Sequence, residues 1–164
     1  MKPAAAAAPN PPLRLDDYLP YRLSVAANAV SDLVASAYQS RFGLSIPQWR
    51  LMAVLGEDGP MTPQDLAART VMDKVTVSRA AAALHERKLV EREPNAADGR
   101  SHRVGLTASG ASLYADIAPL ALAYEARLLE AFTPFERQTA QNLLRRLQAA
   151  ATALQSPPLA GEAS

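Results

Sequence analysis

The stretch that decides the fold is Thr62 to Gly110, TPQDLAARTVMDKVTVSRAAAALHERKLVEREPNAADGRSHRVGLTASG. It contains two marked helix starts. Thr62 offers a hydroxyl to the first orphan amides, Pro63 takes the first helical position where no N–H is needed, and Asp65 closes a capping box. A helix from Pro63 to about Arg69 is predicted. Asp73, after Met72, is a second N-cap, and Val77, Ala80, Ala81 and Leu84 recur at helical spacing and are expected to face inward. Beyond Leu84 the period changes. Leu89 to Glu93 alternate loosely, Pro94-Asn95 and Asp98-Gly99 are turn residues, and His102 to Leu106 reads as a second short strand, which together predict a hairpin with a roomy polar tip.

Capped helix, turn, capped helix, strand, basic turn, strand and helix start is the order of a winged helix-turn-helix. Opposite the apolar stripe of the second helix, at 100° per residue, lie Val75, Arg79, Ala82 and Glu86, flanked by Thr76 and Ser78. Such a small, hydroxyl-bearing and basic face suits a major groove. Arg79 can fork onto guanine or a phosphate, Thr76 and Ser78 can bond either, and Val75 can meet a thymine methyl. Thr62, Gln64 and Lys74, at the helix starts, complete the contact set expected of the two helices. On the hairpin tip Asp98, Arg100, Ser101 and Arg103 are expected to face DNA, because an arginine on a narrow ribbon suits the negative potential of a minor groove. Asp98 is expected to hold Arg100 by a bidentate pair. The alternatives are a solvated helix face and an ordinary exposed hairpin; the hairpin's place directly after the candidate recognition helix favours the DNA reading.

Met72 to Arg79 (MDKVTVSR), Leu84 to Arg92 (LHERKLVER), Asp98 to Ser101 (DGRS) and Leu106 to Gly110 (LTASG) resemble the signature of the MarR family of bacterial transcriptional regulators. The resemblance extends from about Tyr18 to Ala151. It implies that the helix matching Asp73 to Arg87 enters the major groove and that Arg100 enters the minor groove. Two departures stand out. Lys88 occupies a place where the family usually has glycine, so a position suited to positive φ carries a side chain. Gly99 stands between the wing aspartate and arginine, where the family often has a second basic residue.

Composition agrees without naming a function. The 164 residues are one domain's worth, rich in alanine and poor in aromatics, so a mainly α protein with a small β-hairpin wing is expected. The net charge of +1 is uninformative, but from Arg69 to Arg103 there are eight Lys or Arg against five Asp or Glu, a local balance of +3. So modest an excess needs two copies per DNA site for useful affinity. The chain has no cysteine, which excludes disulfides, cysteine-ligated metal and the thiol oxidation by which one branch of the family senses peroxide. No apolar run approaches the ~18 residues of a membrane span, and the prolines after Ala8 argue against a secretory signal, so a cytoplasmic protein is expected. His85 and His102 belong to different elements, with no HExxH, nucleophile elbow or phosphate loop near them. Neither catalysis, a metal nor a cofactor is expected, and the histidines are read as surface groups near phosphates.

The remaining segments speak of assembly. Apolar residues from Leu19 to Tyr38 fall at spacings of three and four up to Gly43, predicting a long amphipathic helix. Ser45 and Gln48 box a shorter helix through Leu55, stopped by Gly56-Glu57-Asp58-Gly59-Pro60. A further helix is expected from Thr107 to Phe132, and Thr133-Pro134-Phe135-Glu136 opens a last one carrying Leu143, Leu144 and Leu147. The expected organisation is a flexible arm 1–14, a domain 15–154 and a disordered tail 155–164, the domain divided into a DNA-binding lobe 45–106 and dimerisation helices 15–44 and 107–154. The resemblance implies a homodimer intertwined through those helices, and a two-fold dimer calls for an inverted-repeat operator. A monomer with the outer helices bundled is the bland alternative. The resemblance also implies a small aromatic or phenolic effector, with Tyr18, Tyr21, Arg22, Trp49 and Arg50 at the matching places; an arginine beside aromatic rings can hold a carboxylate while the rings stack. Trp49 as a core residue and Tyr21 as a dimer-seam residue are the competing readings. The functional expectation is a ligand-responsive repressor binding double-stranded DNA upstream of its own or a neighbouring gene. A winged helix serving only protein interaction is the alternative, and it would call for an apolar face on the second helix.

Overall fold

The computed structural model describes residues 12–95 and 98–155; the expected arm up to residue 11, the tail from residue 156 and two residues of the wing tip lie outside them. A single 3-10 turn, Leu15–Asp17, leads into α1 (Leu19–Phe42), followed by α2 (Ile46–Asp58), α3 (Pro63–Thr70), α4 (Lys74–Glu86), β1 (Val90–Pro94), β2 (His102–Leu106), α5 (Ala108–Leu129) and α6 (Pro134–Gln155). The chain divides into two compact units, the first ending at Ala121 and the second beginning at Leu122.

Helix starts in the first unit follow the cap residues. Ser45 and Gln48 form a complete box, the Gln48 amide donating to Ser45 Oγ at 3.4 Å and the Ser45 amide to Gln48 Oε1 at 2.8 Å. Thr62 Oγ1 accepts the Asp65 amide at 3.2 Å. The Asp65 carboxylate, however, takes the Thr62 hydroxyl at 2.7 Å rather than the Thr62 amide, so the expected box is only half formed. The carboxylate is one methylene shorter than the glutamate that normally reaches back.

The core is where the helices and the wing converge. Leu51, Met52 and Leu55 of α2, Leu66 of α3, Val77, Ala80 and Leu84 of α4, and Val104 of β2 are buried together, with Ala35 and Tyr38 of α1 and Ile117 of α5 closing the sides. The leucine, isoleucine, valine and methionine side chains among them each contribute roughly 1.5–3 kcal/mol when fully buried. The inward stripe expected of α4 is therefore observed, Ala81 being half-buried at its edge. The hairpin pairs antiparallel from Val90↔Leu106 to Pro94↔His102. On the other side of β2, Met61 pairs with Val104 through bonds of 3.1 and 2.8 Å, tying the start of α3 to the wing.

Two departures from expectation have physical causes. α2 runs through Gly56 to Asp58 and ends at Gly59, whose φ is 79°. Gly56 does not break it; a Cβ there would lie within 2.9 Å of the Tyr114 ring, so this glycine permits α5 to approach. Leu89 belongs to the turn after α4 rather than to β1, its amide donating to Leu84 O at 2.9 Å. α5 runs through Pro119, in keeping with the continuous helix expected there, although the proline ring leaves the Ala115 carbonyl without its helical donor. In the second unit Thr133 and Glu136 form a full box, the Thr133 amide donating to Glu136 Oε2 at 2.7 Å and the Glu136 amide to Thr133 Oγ1 at 3.3 Å, and α6 follows.

Among the described residues two non-glycines have positive φ, Val71 at 55° between α3 and α4 and Lys88 at 57° after α4. A left-handed residue with a side chain costs on the order of 1 kcal/mol or more. Lys88→Gly and Val71→Gly are each expected to raise stability by about 1 kcal/mol in urea titration. Gly110→Ala should do the opposite, because its Cβ would overlap the Leu89 carbonyl oxygen; a loss of about 1–3 kcal/mol is expected from such overpacking.

Candidate nucleic-acid interface

α4 is held at its first turn by Asp73. Its Oδ1 accepts the Thr76 amide at 2.8 Å and its Oδ2 the Thr76 hydroxyl at 2.6 Å. Those bonds, the hydroxyl first, hold the Asp73 carboxyl below its usual value of 3.8. The Thr76 hydroxyl proton is thus engaged in the cap, as is the Thr62 side chain at the start of α3. Further along, Val75 is 58% exposed and Ser78, Arg79, Ala82 and Glu86 are exposed as well, so the face opposite the core stripe is open.

α4 lies between two clefts of about 280 Å³ each. One brings Gln64 and Lys74 together with Ser78 and adds Arg92 of β1 and His102 of β2. The other sets Arg79 and Thr76 beside Ser45 and Gln48 at the start of α2. Arg92 and Gln48 were not among the DNA contacts expected from sequence, whereas His102 was read as a surface group near phosphates; strand alternation places Arg92 and His102 on the α3 side only once the hairpin register is known.

The wing tip is stapled from within. Asp98 Oδ1 accepts the Arg100 backbone amide at 3.0 Å, in place of the bidentate guanidinium pair that was expected. Two residues are too short a loop for the side chains to meet head-on, and the carboxylate makes an Asx turn instead. Ser101 Oγ donates to Asp98 O at 3.1 Å and accepts from Asn95 Nδ2 at 2.7 Å. Asp98 and Ser101 therefore shape the tip, and the Arg100 guanidinium has no partner among the described residues.

The eight cations between Arg69 and Arg103 divide into two sets. Arg69 pairs with Asp58 at 2.8 Å and Glu57 at 3.1 Å, Arg87 donates to the Phe42 and Gly43 carbonyls, and Arg103 donates to the Pro60 carbonyl and stands 3.9 Å from Glu93. These three bind the scaffold together. The side chains of Lys74, Arg79, Lys88, Arg92 and Arg100 have no hydrogen-bond or ion-pair partner among the described residues, and Lys74, Arg79 and Arg100 are among the DNA contacts expected from sequence. His85 is exposed, and its Nδ1 lies 3.1 Å from Val90 O, a contact that joins the end of α4 to β1.

Of the residues read as an effector site, Trp49 sits half-buried between the rings of Tyr38 (5.5 Å) and Tyr114 (5.9 Å). Arg50 is exposed and close enough to oppose the upward shift that burial imposes on the Tyr38 hydroxyl. Tyr18 and Tyr21, 44% and 41% exposed, and Arg22 stand at the other end of α1. At 1.5 Å per residue, Tyr21 and Tyr38 are about 25 Å apart along the helix. The five residues do not meet within one chain.

A capped recognition helix with an open polar face, backed by a core shared with a two-stranded wing, defines a winged helix-turn-helix domain. Residues 42–101 match the profile described as MarR family. A MarR family transcriptional regulator from Silicibacter pomeroyi is 31% identical, with 85% of this chain and 93% of that one covered and a TM-score of 0.73. The chain belongs to the MarR family of transcriptional regulators. An uncharacterized HTH-type transcriptional regulator of Mycobacterium leprae is 36% identical over 70 residues, 43% of this chain and 49% of that protein, so the match spans about half of that relative's length. BpsR of Bordetella bronchiseptica, whose DNA binding is regulated by 6-hydroxynicotinic acid, shares the fold at 23% identity with a TM-score of 0.77, covering 84% of this chain and 98% of that one.

The depressed Asp73 carboxyl makes the α4 cap pH-dependent. Its contribution is complete above the unfolded value of 3.8 and is lost as pH falls through the lower folded value. Asparagine caps equally well without titrating. The stability difference between the wild-type chain and Asp73→Asn should therefore shrink or reverse as pH drops below 3.8, as measured by melting temperature across the acid limb. A constant difference would mean the carboxylate is not the cap.

Proposed function

We propose that this chain is a cytoplasmic, homodimeric transcriptional regulator that binds an inverted-repeat operator in double-stranded DNA and acts as a repressor. The observation that carries the reading is the open face of α4, where Arg79 lies without a partner among the described residues beside Val75 and Ser78. A protein-interaction winged helix would present an apolar surface there, and this face is mixed polar and basic.

α4 enters the major groove in this reading. Arg79 reads a base or grips a phosphate, Ser78 and Gln64 bond at the groove walls, Lys74 meets the backbone and Val75 packs on a thymine methyl. Thr62 and Thr76 act through the caps they form, and Arg100 reaches the minor groove from a tip that Asp98, Ser101 and Arg103 hold in shape. Homodimerisation is supported by apolar side chains open on both terminal segments. Leu19, Val25, Val30 and Leu33 of α1 and Leu143, Leu144 and Leu147 of α6 are all more than a third exposed. Exposed apolar surface on this scale marks an interface. A small aromatic or phenolic acid is the proposed effector, in keeping with the regulation of BpsR. Because Tyr18, Tyr21 and Arg22 stand far from Trp49 and Arg50 in one chain, a site using all five needs the second copy.

A mobility-shift titration against DNA upstream of its own and neighbouring genes, with excess competitor and at two salt concentrations, tests the reading. A competitor-resistant shift at two chains per duplex is expected; its absence on any genomic fragment would favour the protein-interaction alternative. Arg79→Ala should weaken specific binding by about 1–3 kcal/mol and relax sequence preference. Arg100→Ala should lower the slope of log K against log salt by about one. An unchanged slope would mean the wing does not touch phosphate or groove. Leu144→Asp should give a monomer in sedimentation equilibrium and abolish the specific shift.

A further inference from the structure

Arg87 caps α4, yet its side chain serves another helix. Nη1 donates to Gly43 O at 3.0 Å and Nη2 to Phe42 O at 2.8 Å. Phe42 is the last residue of α1 and Gly43, at φ 63°, is the left-handed residue that ends it. The final carbonyls of a helix have no intrahelical donor and carry the negative end of its dipole. A guanidinium meets two of them at once because its donors are set in a planar fork, a geometry that a single ammonium lacks.

The placement gives the fork a role beyond capping. α4 packs on α2 and α3 through apolar side chains, and such contacts allow small slides and rotations. Two hydrogen bonds of fixed length and direction do not. They fasten the end of the recognition helix to the end of α1, the helix whose exposed leucines and valines form part of the proposed dimer face. We infer that Arg87 is a positioning residue for DNA binding, whose fork on the α1 carboxyl end sets the angle of the recognition helix against the dimer arm and so the separation of the two recognition helices. The inference rests on the proposed DNA-binding homodimer. Arg87 touches no base or phosphate in this role.

The test uses the full chain and duplexes that it recovers from a random-sequence library, rebuilt with the half-site separation changed one base pair at a time. Wild type is expected to prefer one separation sharply. Arg87→Met keeps the length of the side chain and removes both donors. It should bind the preferred duplex about tenfold more weakly, lose less at neighbouring separations, and keep the wild-type salt slope. Arg87→Lys, with one compact donor group, should fall between the two. An equal loss at all separations together with a slope lower by about one would make Arg87 a phosphate contact and overturn the inference. Wild-type affinity and spacing preference in Arg87→Met would overturn it too. Should that variant melt below the assay temperature, Arg87→Lys decides: a broadened spacing profile supports the role and a wild-type profile refutes it. Failure of the wild-type chain to recover any sequence would refute the regulator reading itself, and the inference with it.

Discussion

The turn Arg87–Lys88–Leu89 is the joint on which the rest of the first unit depends. Within three residues the chain leaves the recognition helix, takes positive φ at Lys88, buries Leu89 and enters the wing. The Lys88 amide donates to His85 O at 2.9 Å and the Leu89 amide to Leu84 O at 2.9 Å, so the backbone closes on the end of α4 like a C-cap motif. The carbonyls of the same residues point the other way. Lys88 O accepts the Thr107 hydroxyl at 2.7 Å and Leu89 O the Thr107 amide at 3.1 Å, and there α5 begins. Gly110 has to be glycine for α5 to come so near. The Arg87 side chain then reaches α1. Three helices and the wing are thus registered against one another at a turn that holds a lysine in a conformation natural to glycine. Its strain is tolerated because every neighbouring hydrogen bond requires it.

The same economy governs charge. An excess of +3 between Arg69 and Arg103 looks like a DNA-binding footprint, but three of those cations are engaged in holding the fold. Arg69 clamps the end of α2 to α3, Arg103 fastens the wing to the α2–α3 connection, and Arg87 fastens α4 to α1. The side chains left without a partner among the described residues, those of Lys74, Arg79, Lys88, Arg92 and Arg100, are distributed around α4 and at the wing tip. Basic residues within a DNA-binding motif are not interchangeable: a bonded guanidinium fixes shape, and a free one supplies field.

Much of this was legible in the sequence, and the reason is local chemistry. Caps at Ser45, Thr62, Asp73 and Thr133, the apolar period of α4 and the turn residues around the wing each act within a few residues, so the order of elements and the open face of α4 follow without knowledge of the rest. Lys88 at positive φ was legible through the resemblance, as a side chain standing where the family usually has glycine. What the sequence did not carry depends on contacts distant along the chain. Gly56 reads as a breaker until Tyr114 is seen against it. The Arg87 fork spans 44 residues, and the Arg103 bond to Pro60 spans 43. The Asp98–Arg100 pair failed for the opposite reason, since the shortest path for that carboxylate is to the backbone amide two residues on. The proposed effector residues read as one group because they match one family crevice, and helix length separates them.

Geometry, more than contact chemistry, is where selectivity has to arise in the proposed dimer. α4 has thirteen residues, about 20 Å at 1.5 Å per residue, and only its first two turns can reach base edges in a groove. Side chains at that end are small except for Lys74 and Arg79, and the Thr76 hydroxyl is held by Asp73. One such head can discriminate a few base pairs, each at about 1–3 kcal/mol. Two heads at a fixed separation multiply that discrimination, provided that the separation is held more tightly than the rise between neighbouring base pairs. Apolar packing between α4 and its neighbours sets the position approximately; directional bonds at the ends of the helices refine it. That is why a capping aspartate at one end of α4 and a forked arginine at the other belong to the reading apparatus as much as the residues that face the groove.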